Sequence, residues 1–412
     1  MIFKILKKAK TVLTYFLVYY PIYGFSFLTP RKKNRWIFGA GYNFAENPKY
    51  LLIEIIEKYP EIDAYWIAKD KRVYESLIIK GIPAAYIWSV KGIYFLFTSG
   101  VYISYSHLHE SIYFWSLGRA KQINLWHGIA LKNIGFSKKI GSQAEKLHNP
   151  FLKVIYKLFY LHLYRQPDIF LTTSPTTARQ FKRSFGLDDI CLVEANYPRC
   201  SVLTFSESAR GEFIKNYENE ILKAFLEELK LFSRAIIYMP TWRDGAPCFL
   251  SFEADKINRL NLWCKSSNSV FVFKLHPKTP ISQLAKLKNF SNIRVMESTS
   301  DIYPILPEFD LLITDYSSIY FDFMHVKNSH TIFYPFDYEQ YISRDRDLAF
   351  DYDENITGMR VNTFDELIEC LEKESYKNID NEKNQALYEK FWGKPEDKKE
   401  LIAEIKKVAG LG

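Results

Sequence analysis

A chain of 412 residues, 48% apolar and 25% charged, is long enough for two domains with a core each; its composition excludes a disordered tail protein and a multi-span transporter. The formal net charge of +8 matches the content of residues 1–45, which hold Lys4, Lys7, Lys8, Lys10, Arg31, Lys32, Lys33 and Arg35 and no acidic residue, so the remainder is near neutral and lacks the basic groove of a nucleic-acid enzyme. The five cysteines, Cys191, Cys200, Cys248, Cys264 and Cys370, have no CxxC spacing, which indicates neither a zinc site nor a disulfide framework and suits a reducing cytosol.

Between the two basic clusters lies Thr11 to Thr29, TVLTYFLVYYPIYGFSFLT, uncharged and rich in Tyr and Phe. Its length suits a membrane span, yet Pro21 and Gly24 interrupt it and both flanks are basic, whereas a single span leaves one flank less basic. The pattern favours an amphipathic segment lying peripherally on the cytoplasmic face of the cell membrane, against anionic lipid. A single span and a plain buried helix are the alternatives, and the lack of a small-residue cleavage site weighs against a secretory signal.

From residue 35 onward short apolar runs alternate with helical patterns. RWIFGAGY is strand and Gly turn, Asn47 to Lys58 helix, DAYWIAKD strand, RVYESLIIKG helix, AAYIW strand, GIYFLFTSG helix and VYISYS strand. QINLWHG and IFLTTSP follow as strands, the second leading into the helix TTARQFKRSFG. After a charged helical stretch from Glu207 to Lys230 the strands AIIYMP, VFVFKLHP, IRVM, LLITDYSS and HTIFYP form a second series. The alternation predicts parallel sheets with right-handed crossovers. The expected division is a membrane-associating segment at 1–34, an N-terminal Rossmann-like domain at 35–206, a second at 207–381, and a helical segment at 382–412 broken near Gly393 and Pro395.

Ligands of open parallel sheets bind beyond the carboxyl ends of the strands, so the residue after each strand matters most. His127 follows QINLW, Arg243 and Asp244 follow AIIYMPTW, and Lys274 and His276 lie in and after VFVFKL. Asp315, Ser317 and Ser318 follow LLIT, where the run from apolar strand to capping residues to amphipathic helix outlines a phosphate socket at a helix N-terminus. A histidine beside the flexible Gly128 suits a general base, and an arginine fork, a lysine and a histidine suit a diphosphate, a set that offsets leaving-group charge without a metal. The acidic run at Asp351, Asp353 and Glu354 is a weaker metal candidate, and His107 and His109, two apart on one side of a strand, lack a third ligand nearby. No GxxxxGK[ST] is present, and GAGY at 39–42 lacks the third glycine of a dinucleotide fingerprint.

Taken together and in order, these segments resemble the CDP-glycerol glycerophosphotransferases of teichoic acid and capsule polymer synthesis. LWHGIALKNIGF, TTSPTTARQFKRSFG, NYPRC, IIYMPTWRD, FKLHP, LLITDYSSIYFDF and FYPFDYEQY followed by FDYDE are similar to seven elements of that family, between Trp36 and Asp353. The resemblance implies an α/β GT-B fold, with two Rossmann-like doubly wound domains facing a cleft. It implies transfer of glycerol phosphate from CDP-glycerol to a hydroxyl of a lipid-linked acceptor with release of CMP, without a cofactor or nucleic acid. His127 matches the family's base, and His276 and Asp244 complete the catalytic set that it implies. Arg243, Lys274, Thr314, Asp315, Ser317, Ser318, Pro240, Thr241, Gly128 and Lys132 fall on motif positions implied to bind substrate. The runner-up donors are CDP-ribitol and a nucleotide sugar. Where the family commonly shows Thr-Pro after WHG this chain has Ile129 and Ala130, and its turn carries Asn196 and Cys200-Ser201, departures in the half expected to hold the acceptor. Room for one two-domain module points to a primer-adding or capsule enzyme over a long-chain polymerase.

Overall fold

The computed structural model describes residues 12–139, 163–243, 253–276, 279, 285, 287, 289–342 and 347–412. The chain forms two compact units. Among the described residues, one unit holds those of Met1–His127, Ser142–Arg199 and Gly393–Gly412, and the other those of Gly128–Gly141 and Cys200–Trp392. The chain thus changes unit directly after His127 and again after Arg199, several residues before the expected boundary at 206, and the final helical segment is shared, Asn381–Trp392 with the second unit and Leu401–Ala409 with the first.

The first unit is built on seven parallel strands in the order β3-β2-β1-β4-β5-β6-β7. They are β1 (Lys32–Gly39), β2 (Asp63–Ala68), β3 (Ala84–Tyr86), β4 (Ser99–Ser104), β5 (Lys121–Asn124), β6 (Ile169–Thr172) and β7 (Leu192–Glu194). Trp36 pairs with Ala64 on one side and Val101 on the other, so β1 is central. Every residue of β4 and β6 is buried, as expected of parallel strands covered on both faces. The order reverses between β1 and β4, where Gly39 is required: a Cβ there would lie 2.7 Å from Ile112 Cγ1 and 3.0 Å from the Ser111 carbonyl.

The second unit has six parallel strands, β10-β9-β8-β11-β12-β13, with the corresponding reversal between β8 and β11. These are β8 (Arg234–Tyr238), β9 (Ser269–Phe273), β10 (Ile293–Val295), β11 (Leu311–Thr314), β12 (His330–Phe333) and β13 (Met359–Arg360). Its core gathers Ile236, Tyr238, Phe271, Phe273, Leu311, Ile313 and Ile332. The short strands β7 and β13, three and two residues long, are the sheet members that the apolar pattern did not announce. Cys191, Cys200, Cys264 and Cys370 are buried free thiols.

The aromatic stretch near the N-terminus is helical, with π-helical winding over Tyr15–Tyr19 and an α-helix over Tyr20–Ser26. One side packs on the first unit: Tyr15 is 7% exposed and stacks on Phe114 with ring centroids 5.8 Å apart. The other side leaves Leu13, Phe16, Leu17, Val18, Phe25 and Leu28 exposed. No helix among the described residues is long and apolar enough to cross a membrane. The second basic cluster is divided: Lys32 and Lys33 are exposed, whereas its two arginines serve the fold. Arg31 donates to the carbonyls of Ser26, Leu96, Ser99 and Ser116, and Arg35 pairs with Asp63 at 2.9 Å. Lys4, Lys7, Lys8 and Lys10 lie outside the described residues.

Candidate active site

In the first unit the turn after β5 carries His127 in an unusual backbone. Trp126 has φ 51 and Gly128 φ 130; the tryptophan is a non-glycine residue held in the left-handed region, a local cost of about 1–3 kcal/mol that the surroundings must offset. Its N–H donates to Asn124 Oδ1 at 3.0 Å, and Leu125 N–H donates to the Ser104 carbonyl at 2.8 Å. The His127 ring lies 3.1 Å through Nδ1 from the Tyr105 carbonyl at the end of β4. A carbonyl only accepts, so Nδ1 carries the hydrogen and Nε2 presents a lone pair. Protein packed around the ring, with Arg199 and His107 adding repulsion, pushes its pKa down to about 4. The ring is exposed, so water offsets part of that desolvation; the direction is what counts, and it favours neutral imidazole at neutral pH.

His107 and His109 follow β4 at the start of a four-residue helix, Leu108–Ser111, and not on a strand. His109 sits among Tyr15, Tyr19, Tyr113 and Phe114, and burial lowers its pKa, the environment of a packing residue.

In the second unit the reversal between β8 and β11 is closed by side chains. Thr314 Oγ1 donates to the Met239 carbonyl at 2.7 Å, and Asp315 Oδ1 accepts from Thr241 N at 2.8 Å and Tyr316 N at 2.6 Å. Arg243, 3% exposed, puts Nη2 2.8 Å from Asp315 Oδ2 and 2.8 Å from Asp337 Oδ1, pairs Nε with Asp337, and donates through Nη1 to the Thr241 carbonyl at 2.7 Å. Burial opposes its charge, but Asp315 and Asp337 outweigh that and hold its pKa above the ordinary arginine value. The guanidinium lies near the rings of Phe336, Tyr341 and Tyr316, the last two stacked with centroids 4.1 Å apart. This corrects the expected role of Arg243 as an open fork: two carboxylates occupy it, and it braces the loops after β8 and β11 instead of facing a ligand.

The remaining cations are differently placed. Lys132, on the 128–141 segment of the second unit, has Nζ 3.4 Å from Thr241 Oγ1 and 5.9 Å from the Tyr341 ring centre. Asn133 holds that segment through Nδ2, 2.5 Å from Asp347 Oδ2. Lys274, after β9, donates to the carbonyls of Glu297 and Ser298, both at 3.1 Å, and burial pushes its pKa down to about 8. His276 is exposed, with its ring 5.0 Å from that of Trp242. Ser317 and Ser318 are half-buried ahead of helix Ile319–Phe323, which is only five residues long and has no side-chain cap from Ser318. So short a helix sums few peptide dipoles, and the expected socket reduces to hydroxyls and backbone N–H groups.

Pro240 and Thr241 are half-buried in the loop after β8. Asp244 lies outside the described residues. The acidic run is engaged locally: Asp353 pairs with Arg360 at 2.5 Å, and Asp351 Oδ1 accepts from Glu354 N at 2.9 Å. Asp337, Tyr316 and Tyr341 were not singled out from sequence, although Asp337 and Tyr341 stand in FYPFDYEQY and Tyr316 in TDYSS. Their signal was the motif itself; their task emerges only once Arg243 is seen between them.

Residues 22–400 match the family described as CDP-Glycerol:Poly(glycerophosphate) glycerophosphotransferase. Over 285 residues the chain is 30% identical to the teichoic acid ribitol-phosphate polymerase TarL of Staphylococcus aureus (strain NCTC 8325 / PS 47), an alignment covering 67% of this chain and 46% of that protein. It is 25% identical over 424 residues to the teichoic acid poly(glycerol phosphate) polymerase of Bacillus spizizenii (strain ATCC 23059 / NRRL B-14472 / W23), covering 98% of this chain and 99% of the relative. The chain spans about half the length of the first curated relatives it matches, 46%, 50% and 44%. In fold it is similar to the wall teichoic acid polymerase TagF, in a histidine variant soaked with CDPG, with a TM-score of 0.70, 21% identity and coverage of 100% of this chain and 98% of that one. That likeness gives an α/β fold of the GT-B type, built of two Rossmann-like units.

Proposed function

Because the chain belongs to the CDP-glycerol:poly(glycerophosphate) glycerophosphotransferase family, we propose that it transfers glycerol phosphate from CDP-glycerol to a hydroxyl of a membrane-bound, prenyl-diphosphate-linked acceptor in teichoic acid or capsular polymer synthesis. The acceptor oxygen attacks the phosphorus that bears glycerol, the P–O bond to the cytidylyl phosphate breaks, and CMP leaves. The acceptor proton goes to Nε2 of His127. The observation that carries this reading is His127 itself: neutral, anchored through Nδ1 to Tyr105, and placed in the family's WHG turn. Lys132, Lys274 and His276 offset the diphosphate charge, with Ser317 and Ser318 as hydroxyl donors, while Arg243 acts through the loops it braces.

The donor has a second reading. The relative at 30% identity is named a ribitol-phosphate polymerase and the one covered almost end to end a glycerol-phosphate polymerase, so CDP-ribitol is the alternative. The latter relative also removes chain length as a guide to primer or polymerase action. Thermal unfolding with CDP-glycerol, CDP-ribitol and a UDP-sugar separates the donors, because a ligand bound only by the folded state raises the midpoint. A shift with a CDP-polyol alone supports the reading; a shift with the UDP-sugar alone sinks it. Peripheral membrane association is supported by the exposed apolar side of the Tyr15–Ser26 region.

A further inference from the structure

The strained turn that carries His127 is gripped by a residue that no motif assigned. Asn47 lies in the first turn of helix Glu46–Lys58 and is fully buried. Its Nδ2 donates to the Leu125 carbonyl at 3.2 Å and to the Trp126 carbonyl at 2.9 Å, and its Oδ1 accepts from Arg199 N at 3.1 Å. Both amide hydrogens and the carbonyl oxygen are therefore spent on backbone groups of two separate loops, after β5 and after β7. The residue before it, Glu46, itself has φ 64, and its carboxylate pairs with Arg199 Nη1 at 2.5 Å. Two left-handed non-glycine residues, Glu46 and Trp126, are thus tied to one bracket. Backbone strain persists only where its surroundings fix it, and it gathers where a side chain must be aimed.

We propose that Asn47 is a positioning residue for His127: its carboxamide holds Trp126 in the left-handed conformation and so aims the adjoining imidazole. This rests on His127 being the base. Asn47→Asp tests it, being near-isosteric while replacing both donors with an acceptor that repels the Leu125 and Trp126 carbonyls. Asn47→Ser is a milder second variant. Both are assayed in the full chain with CDP-glycerol and vesicles bearing a prenyl-diphosphate-linked disaccharide, alongside His127→Ala and the double variant His127→Ala/Asn47→Asp. A positioning role gives cooperative unfolding, an unchanged KM for CDP-glycerol and a kcat reduced about 10²-fold, the scale of a misaimed reacting group. It also gives a double variant no slower than His127→Ala, because nothing is left to aim. Wild-type kcat in Asn47→Asp, the same fold loss in the His127→Ala background, or loss of cooperative unfolding in both Asn47 variants overturns the proposal. Wild-type turnover in His127→Ala is a separate result: it removes the base assignment itself.

Discussion

At the scale of single residues, Arg243 stands in the TWRD segment and is engaged by the fold itself. Its guanidinium is buried between Asp315 and Asp337, so one positive charge meets two negative ones, and the group cannot also neutralise a diphosphate. What it does is fix Thr241 and the loop after β11 in one geometry. Removing the shared cation leaves two close carboxylates uncompensated, so Arg243→Met is expected to lower stability by about 3 kcal/mol in denaturant unfolding. An unchanged unfolding midpoint would mean that the pair braces nothing.

At the scale of elements, both units place their polar residues at the carboxyl ends of parallel strands, and the loops after β8 and β11 meet at the reversal of strand order. In the proposed reaction Lys274, after β9, contributes through its charge. In the free protein its ammonium is present below about 8 and is lost as pH rises through that value, because burial disfavours the charged form. Affinity for CDP-glycerol is therefore expected to fall above that pH. Lys274→Arg, which stays protonated, should keep affinity flat across the same range in titrations; identical pH dependence in wild type and variant would remove Lys274 from the donor contacts. Much of this layer was legible in the sequence. The runs QINLW, VFVFK and LLIT read directly as buried strands, and the residue following each fell where a site residue is expected. The helix after TDYSS was also legible: the apolar run Ile319 to Met324 exceeds the observed helix, Ile319–Phe323, by a single residue, Met324, which is its C-cap. Asn47 was invisible for a physical reason: its partners lie 78 and 79 positions away, on carbonyls that carry no sequence signature.

At the scale of the whole molecule, the excess of basic residues at one end suggested electrostatic attachment to anionic lipid, and the structure redistributes that argument. Arg31 and Arg35 serve the fold while Lys32 and Lys33 stay exposed, so within the described residues those two lysines are joined by an apolar side formed by Phe16, Leu17, Phe25 and Leu28. Burying it in the interfacial layer of a bilayer is favourable by about 25 cal/mol per Å² of apolar surface. The paired change Leu17→Asp and Phe25→Asp should therefore reduce sedimentation with anionic vesicles without lowering the thermal midpoint, because both side chains already face solvent. Equal sedimentation of the two proteins would place the contact elsewhere.

The central claim, transfer of a polyol phosphate with His127 as the base, is met most directly by the mass of the acceptor. Full-length protein is incubated with CDP-glycerol and the prenyl-diphosphate-linked disaccharide in vesicles. The account expects the acceptor to gain glycerol phosphate units, one CMP to appear for each, and both products to form about 10²-fold or more slowly with His127→Ala while its unfolding curve is unchanged. An acceptor of unaltered mass with CDP-glycerol and with CDP-ribitol, or undiminished transfer by the His127→Ala protein, would contradict it.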